Sequence, residues 1–199
     1  RLTRRYATEV AILISPEADI PAPDMGTDEQ IMACIMDTVS MHHGHSVPGV
    51  VTGKPVALGG TLGRAEATGR GVAIIAQAAL EQVEQPIKGT TVAIQGFGNV
   101  GLNAALAFQA LGARVVGLSD RSGGVYQPDG LNLTQVCDCK GETGRCVDYA
   151  DAEVITNAEL LELPVDILVP AAMEGQITAH NANKIRAKLA KYGGRTCIT

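Results

Sequence analysis

Three glycines, Gly96, Gly98 and Gly101, stand as G-x-G-x-x-G directly after the apolar run Val92-Ala93-Ile94-Gln95, and Asp120 closes the next apolar run. Gly96 permits a tight strand-to-helix turn, Gly98 lets backbone approach a pyrophosphate, and Gly101 lets the helix pack on the strand. The phosphates would rest on the helix N-terminus, where unpaired N–H groups and the positive end of the dipole favour anions. Asp120, ending the strand Arg114–Leu118 and its continuation, is placed to accept hydrogen bonds from a ribose diol. This chemistry is dinucleotide binding, the alternative being an ordinary tight turn in a parallel sheet.

A redox dinucleotide needs a proton acceptor beside the carbon that loses hydride, and Asp24 supplies a carboxylate in the stiff loop Asp19-Ile20-Pro21-Ala22-Pro23-Asp24-Met25-Gly26. Asp24 or Asp28 would equally cap the helix that follows. Around the loop-to-helix junction 59–71, Arg64 would grip a carboxylate bidentately and Thr68 would bond a nicotinamide amide, or both would cap helix and loop. His42, His43 and His45 crowd one loop, and Cys137, Cys139 and Cys146 follow no zinc spacing, so no metal is expected and the cysteines read as solvated loop residues.

The elements that must position these groups follow from periodicity. Helices are expected over 2–14, 28–42, 66–83, 99–111 and 178–191, with a short one starting at the capping-box-like Thr156-Asn157-Ala158-Glu159. Strands are expected over 92–95, 114–118 and 165–169, with a hairpin at 122–126 and a strand near the end at 196–199. Alternating strands and helices predict an α/β fold: a Rossmann-type parallel sheet with flanking helices, preceded by a helical and loop segment from a catalytic cleft. The boundary is drawn between 1–65 and 66–199.

Bulk properties narrow the partners. In 199 residues, 46% are hydrophobic and 3% aromatic with no Trp, which suits small aliphatic side chains on a parallel sheet. A net charge of −5 argues against nucleic acid. No apolar stretch is long enough for a bilayer, and five cysteines make no disulfide framework. A cytoplasmic protein is expected. Arg1 in place of Met and a strand cut short at the end read as a fragment.

Taken together, Leu2-Thr3-Arg4-Arg5-Tyr6, Asp19 to Thr27, Val51-Thr52-Gly53-Lys54-Pro55, Gly63-Arg64, Ala67-Thr68-Gly69-Arg70-Gly71, Gln95 to Gly101, Asp166 to Ala172 and Asn181-Ala182 resemble the glutamate dehydrogenase (Glu/Leu/Phe/Val dehydrogenase) family. The resemblance implies reversible oxidative deamination of L-glutamate to 2-oxoglutarate and ammonia, in a homohexamer. It makes Asp24 the proton-transfer carboxylate and Arg64 a substrate residue. Thr68 would lie near the nicotinamide amide; Gly96, Phe97, Gly98, Asn99, Val100 and Gly101 would form the pyrophosphate turn. Asp120 would hold the adenosine ribose and Ala172 would line the adenine site.

Two departures stand out. The family's substrate-binding and catalytic lysines precede the segment matching 2–6, and Lys54 does not replace them; Arg195 falls where a cofactor-binding Asn is expected, in a divergent terminus 192–199. The fragment is therefore expected to be inactive alone. Asp120 should favour NAD, with Arg121 permitting NADP. Rival readings are a non-catalytic nucleotide-binding module and a dehydrogenase of branched-chain or aromatic amino acids.

Overall fold

The structure is a computed structural model that describes residues 1–192 and 195–198, with side chains through residue 190. It divides into two units, Arg1–Arg64 and Ala65–Thr199.

In the first unit, α1 (Leu2–Val10) and α2 (Glu29–His43) pack through a core of Ala7, Ile14, Met32, Ile35, Val39, Val50 and Val51. The helix expected over 2–14 stops at Val10, because residues 11–13 turn and Ile14 makes a bridge with Asp19 instead. Asp28, not Asp24, caps α2, accepting from the Ile31 N–H. Gly44 ends that helix in the left-handed conformation, φ 71°.

The second unit is an α/β layer structure. It contains α3 (Arg64–Gln82, whose first residue belongs to the first unit), β1 (Thr91–Gln95), α4 (Asn99–Ala110), β2 (Arg114–Asp120), β3 (Gly123–Tyr126), α5 (Leu133–Thr143), β4 (Glu153–Ile155), α6 (Asn157–Leu161), β5 (Ile167–Pro170), β6 (Leu189–Tyr192) and β7 (Arg195–Ile198). The seven-stranded sheet runs β4-β3-β2-β1-β5-β6-β7. Its centre, β2-β1-β5-β6, is parallel, and antiparallel strands flank it on both sides. The expected Rossmann-type α/β sheet is present.

Strand alternation builds the layers. Val92 and Ile94 of β1, with Ile167 and Val169 of β5, face the core formed with α3 and α4, where Ala73, Ala76, Ala104 and Phe108 are buried. Ala93 and Leu168 face the opposite way, toward Leu160, Leu161 and Ala187. Small side chains at these crossings let backbone approach backbone. At Gly69, for example, an added Cβ would lie 2.5 Å from the Ala104 nitrogen.

Several expectations need correction. No helix spans 178–191: Thr178 and Asn181 close a turn, Ala182–Lys184 form a single 3-10 turn, and Leu189 starts β6. The apolar spacing read as helical is that of a strand, with Leu189 and Ala190 buried on opposite faces beside β5. The three cysteines are not solvated loop residues either. Cys137 and Cys139 sit half-buried on α5 and Cys146 is fully buried. The expectation for the divergent terminus falls partly on residues 193, 194 and 199, which lie outside the described residues.

Candidate functional site

Sequence order determines where a ligand can sit. From β1 the chain crosses through α4 to β2 on one side, and later returns to β5 on the other, so the C-terminal ends of β1 and β5 diverge. A crevice opens at such a switch point. Here it is a cavity of about 800 Å³, walled by Gly96, Phe97, Gly98, Asp120 and Ala172 among the expected residues.

The glycine turn is shaped by contacts that tolerate no side chain. Gly96 has φ 93°, and a Cβ there would lie 2.4 Å from the Ala171 carbonyl oxygen. A Cβ on Gly101 would lie 1.8 Å from the Gly96 oxygen. Gly98 differs: among the described residues nothing lies within 4 Å of its Cβ position, it is exposed, and as N-cap of α4 it carries no side-chain cap. That open helix start fits an anion. Asn99 uses its side chain internally, donating to the Ala65 carbonyl at 2.9 Å, which draws the first turn of α3, and with it exposed Thr68, toward the start of α4. Thr68, Asn99, Val100 and Gly101 are not on the cavity wall itself.

Asp120 is anchored from all sides. Its Oδ1 accepts from the Ser122 N–H at 2.7 Å and the Ser122 hydroxyl at 2.5 Å, and its Oδ2 accepts from the Cys146 N–H at 3.0 Å with Lys140 Nζ 3.5 Å away. Asn157, first residue of α6, donates to its carbonyl at 2.9 Å and accepts from the Ser119 hydroxyl at 2.7 Å, which fixes the end of β2. Burial opposes the charge on Asp120. The bonds from Ser122, Cys146 and Lys140 outweigh that, and the carboxyl titrates below the ordinary aspartate range. The neighbouring Cys146 thiol moves the other way, pushed up to about 11 by burial and then by the Asp120 charge.

Sequence reasoning missed several residues of the wall. Lys140 donates to the Phe97 carbonyl and stands 5.2 Å from the Phe97 ring centre, linking α5 to the glycine turn, yet in sequence it is one lysine on an amphipathic helix. Arg145, Ser122, Gln95 and Gln176 also line the cavity. Ser122 was findable, since Asp-x-Ser is an Asx-turn pattern. Gln95 closes the apolar β1 and donates to Gln176 at 2.9 Å, while its own Oε1 is buried without a hydrogen-bond partner among the described residues.

Asp24 and Arg64 belong to the first unit. Asp24 is exposed, its Oδ1 accepts from the Met25 N–H at 2.8 Å, and its carbonyl accepts from the Thr27 N–H at 2.9 Å. The loop is held from behind: Thr52 N–H donates to the Pro21 carbonyl at 2.9 Å, and a Cβ on Gly53 would lie 2.5 Å from the Pro23 ring. The segments Asp19–Thr27 and Val51–Pro55 thus form one braced structure. Arg64 is half-buried at the start of α3. Among the described residues no group of three or more His, Cys, Asp or Glu converges as a metal site, and no helix is long and apolar enough to cross a membrane.

Comparison with known families matches residues 59–192 to Glutamate/Leucine/Phenylalanine/Valine dehydrogenase and residues 1–41 to the Glu/Leu/Phe/Val dehydrogenase dimerisation domain. The glutamate dehydrogenase of Thermotoga maritima is 53% identical over 97% of this chain and 47% of its own length. The NAD-specific glutamate dehydrogenase A of Halobacterium salinarum is 51% identical over 97% of this chain and 44% of its own. Among solved structures, the hetero-hexameric glutamate dehydrogenase of Thermus thermophilus in its Leu-bound form superimposes with a TM-score of 0.89 at 41% identity, covering 95% of this chain and 44% of that one. The chain spans about half the length of the curated relatives it matches.

Proposed function

Because the chain belongs to the glutamate/leucine/phenylalanine/valine dehydrogenase family, we propose that it serves the reversible oxidative deamination of L-glutamate to 2-oxoglutarate and ammonia. The observation that carries this is the uncapped start of α4 behind Gly98, opening where the cavity lies between β1 and β5. A nicotinamide dinucleotide bound there would supply the hydride acceptor. The backbone N–H groups of Asn99, Val100 and Gly101 would hold its pyrophosphate. Asp120 and Ala172 would border the adenosine half, and Thr68 the nicotinamide amide. NAD is the cofactor we assign, supported by the acidic residue ending β2 and by the relative named NAD-specific.

Asp24 takes the amino-group proton in this reading. Its support is the bracing of a carboxylate in an exposed loop without use as a helix cap. Arg64 would pair with a substrate carboxylate. A hexamer is our reading of the assembly, favoured by the match of residues 1–41 to a dimerisation domain and by Leu2, Tyr6, Ile12 and Leu13, exposed apolar residues of the first unit. Unpaired thiols at Cys34, Cys137, Cys139 and Cys146 fit a reducing cytoplasm.

The test is to assay the protein as its gene encodes it with glutamate, leucine and phenylalanine against NAD and NADP. Glutamate should be oxidised fastest. Faster turnover of leucine or phenylalanine would move the substrate within the family. Nucleotide binding without turnover of any amino acid would leave a binding module.

A further inference from the structure

Resting on the reading that Thr68 meets the nicotinamide amide, we infer that Asn103, which does not line the cavity, is a positioning residue: through Asn99 it pins the first turn of α3 and so sets where the Thr68 hydroxyl stands. Asn103 lies inside α4, one turn past Asn99. Asparagine is a weak helix former because its amide competes for backbone groups. A mid-helix asparagine whose amide reaches across to the next helix therefore has a use there.

The contacts are specific. Asn103 Nδ2 donates to the Asn99 carbonyl at 2.9 Å, to Asn99 Oδ1 at 3.1 Å and, more weakly, to the Ala65 carbonyl at 3.4 Å. The bond to Oδ1 fixes which way the Asn99 amide faces. With its oxygen turned to Asn103, its nitrogen points at the Ala65 carbonyl and donates at 2.9 Å. Were the Asn99 amide to turn over, its oxygen would face that carbonyl, acceptor against acceptor. Asn103 removes that freedom.

One turn further along α3, Gly69 closes on the same residue. A Cβ there would lie 2.6 Å from Asn103 Cβ and 2.5 Å from the Ala104 nitrogen. Helix α3 is thus held to α4 at Ala65 by hydrogen bonds and at Gly69 by close contact, and Thr68 stands between the two. Gly69 alone is a pivot; the hold on Ala65 fixes the angle. The Thr68 hydroxyl, donor and acceptor in one group, suits a carboxamide, which presents both. Pyrophosphate binding by the α4 backbone needs none of this, so the hold bears on the nicotinamide half of a dinucleotide and not on the adenosine half.

The test is calorimetric titration of the protein as its gene encodes it with NAD and with ADP-ribose, which lacks the nicotinamide, beside thermal unfolding. Asn103→Leu keeps the volume and removes the amide. It should weaken NAD by about threefold to tenfold and leave ADP-ribose within about twofold. The unfolding temperature should stay unchanged or rise, since leucine is the better helix former. Asn103→Ala, smaller and a better helix former still, should do the same. Thr68→Val should weaken NAD alike, and the double variant Thr68→Val with Asn103→Leu should lose little more than Thr68→Val, because both changes remove one contact. Equal weakening of NAD and ADP-ribose, no weakening of either, losses that track side-chain volume, NAD affinity and unfolding temperature falling together, or additive losses in the double variant would each overturn the inference. If Thr68→Val leaves the NAD-to-ADP-ribose ratio unchanged, the assignment of Thr68 falls and this inference with it. If Thr68→Val shifts the ratio and Asn103→Leu does not, only this inference falls. If the ratios shift as stated but no amino acid is oxidised, the dehydrogenase reading falls and this one stands.

Discussion

A Cβ placed on Gly101 would lie 1.8 Å from the Gly96 carbonyl oxygen, so the third glycine of the turn is fixed by the carbonyl of the first. Gly101→Ala therefore has to push α4 away from β1. It should cost about 1–3 kcal/mol of stability and weaken nucleotide binding with it. Gly98→Ala is the control, because its Cβ meets nothing among the described residues and φ −94° suits any residue. Thermal unfolding should be unchanged in that variant while nucleotide affinity falls, which separates a glycine kept for packing from one kept for a ligand.

Gly69 gives a second case in which two effects oppose each other. Replacing glycine by alanine inside a helix ordinarily gains up to about 1 kcal/mol. At Gly69, however, the new methyl group would lie 2.5 Å from the backbone nitrogen of Ala104 and 2.6 Å from Asn103 Cβ, and backbone cannot rotate aside. The steric effect should win. Gly69→Ala lowers the urea midpoint, whereas Gly71→Ala, with open space around it, raises it or leaves it unchanged.

These glycines also mark how far the sequence could be read. The strand, glycine turn, helix and terminal aspartate were legible because each depends on local spacing, and the capping box at Thr156 formed with Glu159 as its pattern required. The segment after β5 was not. Ile185, Ala187, Leu189 and Ala190 offer apolar residues at spacings compatible with helix or strand, and pairing with Ile167 and Leu168 decides for strand. Lys140 was illegible for a related reason. Its partners, Phe97 and Asp120, are 43 and 20 positions away, and only the folded chain brings them together.

Thr91 and Asp166 tie the starts of β1 and β5 together and predict a pH dependence. Asp166 Oδ2 accepts from the Thr91 N–H at 2.8 Å and hydroxyl at 2.9 Å, and Oδ1 accepts from Lys188 at 2.7 Å. Burial opposes its charge, but Lys188 and Thr91 more than compensate, so the folded carboxyl titrates below its ordinary value. A lowered folded pKa adds stability above the unfolded value, near about 4, and loses it as pH falls through the folded value. Chemical denaturation across pH should thus show Asp166→Asn less stable by about 1–2 kcal/mol at neutral pH, with the difference shrinking below about pH 4. Lys188→Met, whose side chain is 65% exposed, should cost under about 1 kcal/mol. A difference that persists undiminished in acid would show that the aspartate acts through shape and not charge.

Asp24 offers a test between a catalytic and a structural role for a carboxylate. Asp28 already caps α2, and the Asp24 loop is braced through backbone groups: Thr27 N–H to the Asp24 carbonyl, Asp24 N–H to the Thr27 hydroxyl at 2.6 Å, and Thr52 N–H to the Pro21 carbonyl. None of these needs the Asp24 side chain. Among the described residues its Oδ1 accepts only the exposed Met25 N–H, a bond an asparagine oxygen can keep. Asp24→Asn should therefore leave the unfolding transition in place while glutamate oxidation falls by about 10²–10⁴-fold, the range for loss of a positioned proton acceptor. The fall should appear in kcat, with nucleotide affinity retained. Thr27→Val is the reverse case: losing the hydroxyl that accepts the Asp24 N–H loosens the loop, so activity falls by less and recovers on cooling. Equal losses of activity and stability in Asp24→Asn would return this residue to the loop's architecture.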